Sequence, residues 1–396
     1  MPQFLAFILS TGAINAIYGN IAASLLLILF YPAIKGSKIA IGGVYGMPLW
    51  LLFLFGLTYV IFGAFSLQGI EFYMLSPLLA YLSGWTIGSV SRNHLESSTR
   101  SFVMFIIAGY SVHAALNLSI NIGRARWDLI DFFSESGRAA TGSGTINTLA
   151  FSLIAYFLLV EKKKNIKLIG IFFFSISLVY AFVLGSRTQF LIMGVVAAVV
   201  IVVCFHEQYT WAWLPRFIVY ATGITIVCIV IYQKNLCGIQ DAIESSNLFA
   251  RNLESLAQQQ ADSYRMTSVW RGLLLTFEYP FGGLEQTNYY HNMWLDAGRV
   301  AGLIPFLLLL SYSLISVFHV TRIFCNKSAS VWFRYMLLCL YIGVLANFFV
   351  EPVLEGIIDF FLMFCRINGL VDCYYYMNLG LSNDVKTCVE GNYANR

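Results

Sequence analysis

Charge is what this chain has least of. Only 11% of its 396 residues are Asp, Glu, Lys or Arg, against about 25% in a typical soluble domain. So few charges cannot cover an apolar core of this size with a polar shell, which excludes an ordinary soluble protein. The net charge of +4 is too small to point to nucleic acid. Histidine is scarce, with five residues, and no CxxC pair or metal-ligand spacing occurs, so no metal site is expected. Among the eight cysteines, Cys204, Cys228, Cys325, Cys339, Cys365 and Cys373 fall in apolar runs, and Cys237 falls in a polar loop. A structural disulfide is not expected from that distribution. Internal repeats, low-complexity tracts and linkers are missing too. The N-terminus has no basic region ahead of its apolar stretch, which runs on to about Pro32. It reads as a retained helix, not a cleaved signal.

What the chain does have is apolar length. Hydrophobic residues make up 59% of it. Runs long enough to span a bilayer, about 20 residues each, occur near 12–34, 47–66, 72–90, 101–122, 146–160, 168–185, 188–205, 216–233, 292–319, 330–350 and 356–378. The last carries Asp359, Arg366 and Asp372. Backbone groups in hydrocarbon must bond within their own segment, and the runs lack the period of two of barrel strands. The expectation is an all-α polytopic membrane protein with about 11 transmembrane helices, in a range of 10–12. It is one transmembrane domain over 1–396, with a large loop at 234–290 between helices.

Lys and Arg in short loops set the orientation. One face collects Lys35/Lys38, Arg92/Arg100, Lys162/Lys163/Lys164/Lys167, Arg216 and Arg322/Lys327/Arg334, and reads as cytoplasmic. The opposite face carries the 123–145 loop, a tight turn at Gly185–Thr188, acidic Glu351–Glu355, and the long loop. Inside that loop, Ile239, Ile243, Phe249, Leu253 and Leu256 lie near helical spacing over 239–257. A second helix is expected to start at Asp262 or Ser263 and run to Phe277, where Pro280 and two glycines stop it.

Cations on the external side are the first candidates for chemistry. Arg187 lies in GSRTQF, where two spans meet. A guanidinium cannot shed its charge, so it needs an anion or water. Arg187 reads equally well as a snorkelling anchor or as a phosphate ligand. Arg265 and Arg271 sit six apart in SYRMTSVWRG, on different helix faces. Arg265 is expected in the first turn, where free N–H groups also favour an anion. Arg271 suits a headgroup or an acidic partner. His291 opens a span, with Tyr290 before it and Asn292, Asp296 and Arg299 on the first turns. Imidazole titrates near neutrality and can take a proton from a sugar hydroxyl. Arg124 and Arg126 in the 123–145 loop add cationic lining, and Glu351, Glu355 and Asp359 offer acidic partners or orienting groups.

Three landmarks follow in order: Arg187 in GSRTQF, Arg265 followed by Trp270, and Pro280-Phe-Gly-Gly283 leading to His291-Asn292. The last continues through Leu295-Asp296 and Arg299 to Gly302-Leu-Ile-Pro305. In this order and topology the chain resembles the O-antigen polymerase and O-antigen ligase superfamily over most of its length. The resemblance implies the C-type membrane glycosyltransferase fold with its one long periplasmic loop, in the bacterial inner membrane, with the active site facing the periplasm. It implies glycan transfer from undecaprenyl pyrophosphate without nucleotide sugar, cofactor or metal. Arg187 and Arg265 would bind the donor pyrophosphate, and His291 would serve as general base or position the acceptor hydroxyl. Arg271, Asn292, Asp296, Arg299, Tyr290, Arg124 and Arg126 would contact substrate. The Leu295-Asp-x-x-Arg299 extension is more similar to polymerases than to ligases. A chain-length-regulating co-polymerase is the implied partner, beside the bilayer and the lipid-linked glycan. Two alternatives stand. A ligase would pass the finished polymer to lipid A-core. A flippase for lipid-linked sugars belongs to another class, and inverted repeats and midplane polar residues would mark it.

Overall fold

The computed structural model describes residues 1–37, 39, 46–125, 128–134, 140–207, 214–258, 261–284 and 288–380. Among the described residues the regular elements are helices. The longer ones are α1 (Pro2–Ser10), α2 (Ala16–Leu29), α3 (Met47–Gly63), α4 (Ser76–Val90) and α5 (Leu95–Asn121). There follow α6 (Thr148–Leu159), α7 (Lys164–Leu184), α8 (Thr188–Glu207), α9 (Leu214–Gln233) and α10 (Asn247–Gln258). The last are α11 (Ala261–Glu278), α12 (Met293–Ala301), α13 (Leu303–Cys325), α14 (Val331–Val350) and α15 (Ile358–Tyr375).

Local chemistry sets the ends. Asn15 caps α2, its side chain accepting from the amides of Ile17 and Tyr18. Pro48 stands in the first turn of α3, where no intrahelical N–H is needed, and Pro77 stands where the helical turn Ile70–Leu75 passes into α4. Gly185 closes α7 in the left-handed conformation.

Among the described residues, six helical segments are long and apolar enough to cross a membrane: Ala16–Lys35, Arg92–Asn121, Lys164–Leu184, Thr188–Glu207, Leu303–Cys325 and Val331–Val350. Met47–Gly63 and Thr148–Leu159 are apolar but shorter. Large apolar side chains remain exposed along them, among them Leu168, Phe172 and Val179 on α7 and Leu191, Val195 and Val202 on α8. In water such stripes would be costly; in lipid they face their own kind. The chain is a polytopic membrane protein.

The backbone departs from the pattern of the sequence at two places. The apolar run at 292–319 is two helices, broken at Gly302, whose φ is +90°. The stretch 239–257 is also two helices, Ile239–Glu244 and α10, because the Ser246 hydroxyl accepts from the Phe249 amide and starts a new helix. Helix α11 is described over Ala261–Glu278 and carries Arg265.

The chain divides into two compact units, one of residues 1–110 with 265–396 and the other of 111–264. In the first, α4 and α15 touch backbone to backbone. A Cβ on Gly84 would lie 1.9 Å from the Arg366 carbonyl oxygen, and one on Gly369 would lie 2.0 Å from that of Tyr81. That approach lets α15 bury a polar row. Asp372 accepts from Tyr81 Oη at 2.8 Å and pairs with His319 Nδ1 at 2.7 Å. Asn368 donates to Tyr312 Oη at 2.9 Å and to Ser316 Oγ at 2.8 Å, and accepts from Tyr341 Oη. These bonds satisfy polar groups that hydrocarbon would otherwise strand.

In the second unit α6 is buried on nearly every residue. The Phe151 ring meets Phe174 of α7 at 5.3 Å and Phe190 of α8 at 5.4 Å. Residues 128–134 are laced to α5. The side-chain Oδ1 atoms of Asn117 and Asn121 accept from the amides of Phe132 and Ile130, and His113 Nε2 meets Asp131 Oδ2 at 2.9 Å.

Candidate active site

The strongest cluster lies in the first unit, where residues 279–284 and 288–303 pack together. Pro280–Gly283 folds against the end of α12. The Gly283 amide donates to the Val300 carbonyl at 3.2 Å, and Leu284 N to Arg299 O at 3.1 Å. The amide of Leu303, freed by the Gly302 break, donates to Pro280 O at 2.9 Å. A Cβ on Gly302 would lie 2.2 Å from the Pro280 carbonyl oxygen, so the turn closes only over glycine.

At the other end of α12 stands His291, with φ at +54°. Left-handed backbone is uncommon outside glycine. It persists because Asp296 grips both flanks. Its Oδ1 accepts from the Tyr290 amide at 2.8 Å, and its Oδ2 accepts from the Asn292 amide at 3.2 Å. Asn292 caps the helix, accepting from Leu295 N at 3.1 Å, and donates to the Phe349 carbonyl at 3.3 Å. Trp294 Nε1 donates to Ser313 Oγ at 3.0 Å and anchors α12 to α13. His291 itself is half-buried. Asp296 is almost fully buried and lies ahead of the span Leu303–Cys325. Burial pushes its carboxyl up to about 6, and the two amides and Arg299 oppose that rise.

Arg299 ties the two ends together. Its Nη2 pairs with Glu355 Oε1, its Nη1 donates to the Leu284 carbonyl at 3.0 Å, and its Nε lies 3.6 Å from Asp296 Oδ1. The guanidinium sits over the Tyr289 ring, 5.3 Å from its centroid. Its side chain is wholly buried. The Tyr59 and Tyr73 rings, 4.5 Å apart, lie within the electrostatic reach of Glu355. Glu355 was one of three acidic candidates; Tyr59 and Tyr73 carried no signal in the sequence beyond being tyrosines in apolar runs.

Helix α11 covers this turn through small residues. A Cβ on Gly272 would meet the Tyr290 ring at 2.7 Å, and one on Gly298 would meet Thr276 Cγ2 at 2.8 Å. The Tyr290 ring is buried by that contact, and its hydroxyl has no hydrogen-bond partner among the described residues. Arg271 and Trp270 of α11 are exposed. The Arg265 side chain lies outside the described residues; only its place on α11 is fixed.

The remaining candidates belong to the second unit. Arg187 is half-buried at the turn between α7 and α8. The turn is braced from α10. Asn247 Nδ2 donates to the Val183 carbonyl at 2.7 Å and Arg251 Nη1 to the Gly185 carbonyl at 2.8 Å. Asn247 Nδ2 also reaches the Arg124 carbonyl at 3.1 Å, so Arg124 and the Gly185 turn meet at the start of α10. Arg124 is exposed, with Nε donating to Ile120 O at 2.8 Å. Arg126 lies outside the described residues. Arg251, which braces the turn, was missed in the sequence because it sits on a helix read only for its apolar spacing.

No protein-family model matches the chain, and no curated protein matches it in sequence. The functional reading therefore rests on the site's own chemistry and on the motif order of the sequence.

Proposed function

We propose that this protein polymerises oligosaccharide repeats carried on undecaprenyl pyrophosphate at the periplasmic face of the bacterial inner membrane, as a chain of about eleven spans. The growing glycan passes to an incoming repeat. A sugar hydroxyl of that repeat attacks the anomeric carbon, the bond to pyrophosphate breaks, and undecaprenyl pyrophosphate departs with the electron pair. His291 takes the hydroxyl proton or positions the hydroxyl. Arg187 and Arg265 bind phosphate oxygens, and the cations stabilise the leaving charge.

The observation that carries this reading is the bracing of His291. A half-buried imidazole is held in left-handed backbone by a buried carboxylate that grips both neighbouring amides. Strain maintained by that much surrounding structure is characteristic of functional positions. Asn292, Asp296, Tyr290 and Arg299 support the reading as residues that shape the turn, and Arg271, Arg124 and Arg126 as charges for substrate.

The test is a gel of surface polysaccharide from the native host, with the gene deleted and restored as wild type or His291→Ala. A lipid A-core band carrying one repeat and no ladder, in both the deletion and His291→Ala, is the expected result. Bare core with long polymer left on the lipid carrier would assign the ligase activity instead. Repeats trapped on the cytoplasmic leaflet would assign transport.

A further inference from the structure

The first unit holds a second polar site, on α15 and away from the His291 turn in sequence. Arg366 is 95% buried, with a relative exposure of 5%. Its guanidinium is held by neutral oxygens only. Nε donates to Ser83 Oγ at 2.9 Å, and Nη2 donates to Ser24 Oγ at 2.8 Å and to Asn20 Oδ1. Asn20 is itself fixed, its Nδ2 donating to the Ser76 carbonyl at 3.2 Å, so its oxygen is turned to the arginine. Among the described residues Arg366 has no carboxylate partner, and its Nη1 makes no hydrogen bond.

A buried guanidinium cannot neutralise itself. Leaving one without a counter-charge in a low-dielectric interior is costly. Here the cation also has somewhere to point. Arg366 lines a partly open cavity of about 30 Å³ whose walls come from α1, α2, α5 and α15. Most of the lining is apolar, including Leu9, Ile106 and Leu362. Asp359 shares the cavity, seven residues earlier on α15, which is about 10 Å along the axis. It is half-buried and has no hydrogen bond or ion pair among the described residues. One buried cation and one separated carboxylate, joined by an apolar wall, match a ligand with an anionic group and a donor at its other end.

We infer that this cavity binds a phosphate group that carries a short arm ending in an ammonium or hydroxyl, with Arg366 on the phosphate and Asp359 on the donor. A phospholipid headgroup and a soluble phosphoethanolamine share that chemistry. The inference does not depend on the polymerase reading, since none of its residues belongs to the His291 turn.

Native mass spectrometry of the full chain in mild detergent reads retained lipid, and thermal unfolding with added phosphoethanolamine reads the soluble source. Wild type should retain a phospholipid bearing an ammonium or hydroxyl headgroup. Arg366→Gln should reduce retention at least about tenfold, the worth of one charged hydrogen bond. Leu9→Trp, which fills the cavity but leaves the arginine, should do the same. If no lipid is retained but phosphoethanolamine raises the melting temperature of wild type and not of the variants, the site stands with a soluble ligand. Equal lipid retention by wild type and both variants, with no phosphoethanolamine shift that separates them, overturns the inference. If Arg366→Gln does not fold, Leu9→Trp decides alone, with equal retention and equal shifts as the overturning result.

Discussion

Asp296 brackets His291: one carboxylate oxygen holds the amide before the histidine and the other holds the amide after it. The backbone between those two bonds is left-handed, with φ at +54°. Removing the acceptor while the amides stay buried costs about 1–3 kcal/mol for each stranded group. Asp296→Ala should therefore lower thermal stability in detergent and abolish polymer formation. Asp296→Asn keeps one acceptor oxygen and should lie between the two in stability. Wild-type stability of Asp296→Ala in a melting curve would show that the turn does not depend on this carboxylate.

The same carboxylate makes a pH prediction. Its folded pKa is raised from 3.8 to about 6, mainly by burial. The native state then holds the proton more tightly than the unfolded chain does. The stabilisation from that proton is fully present below about pH 4, the unfolded value, and is lost as pH rises through about 6. Two pH units correspond to roughly 3 kcal/mol. Against wild type, Asp296→Asn should show a flatter melting temperature between pH 4 and 6. Parallel curves for the two proteins across that window would assign the pH dependence to other groups.

Arg299 and Glu355 form an ion pair across 56 residues of sequence, with the guanidinium side chain fully buried. Breaking a buried pair from one side leaves an uncompensated charge, at about 3–5 kcal/mol. Arg299→Met and Glu355→Gln should each destabilise the protein strongly. The double variant should lose much less than their sum, because it leaves no orphan charge. Additive losses in a thermal-unfolding cycle would mean that the two side chains do not act as a pair.

Glycine positions separate a built turn from an ordinary helix. Gly302 has φ at +90° and would place a Cβ 2.2 Å from the Pro280 carbonyl oxygen. Gly194, inside α8, has nothing within 4 Å of its Cβ position. Gly302→Ala should therefore disrupt the packing of Pro280–Gly283 on α12 and lower the melting temperature. Gly194→Ala should be neutral or stabilising, by up to about 1 kcal/mol. A harmless Gly302→Ala would indicate that the break in the 292–319 run is not required.

How far the sequence carries the fold depends on whether a feature is local. Long apolar runs reveal helices in lipid because the bilayer demands length and internal bonding from each segment alone. The segment from His291 to Arg299 was visible for the same reason, since its polar residues fall within a few positions of each other. The Gly302 break was hidden because apolar residues continue through it, and only the contact with Pro280 shows why the helix stops. The partners of Arg299 were hidden by distance: Glu355 is 56 residues away, and Tyr59 lies on another helix. In the sequence Arg366 is only one of three charges in the last apolar run. Its meaning depends on Asn20, Ser24 and Ser83, which come from two other helices.

His291 can be separated into backbone and imidazole. Its φ of +54° suits glycine better than any β-carbon-bearing residue. His291→Gly should keep or raise the melting temperature, because it relieves the left-handed strain while Asp296 still holds both amides. His291→Ala keeps a Cβ in that backbone and should be less stable than His291→Gly, by about 1 kcal/mol. If the imidazole carries the proton, both variants should lose the polysaccharide ladder equally, whatever their order in stability. If His291 only shapes the turn, His291→Gly should restore the ladder that His291→Ala lacks. The comparison of ladder against melting temperature in these two variants therefore distinguishes a histidine that does chemistry from one that only holds the turn.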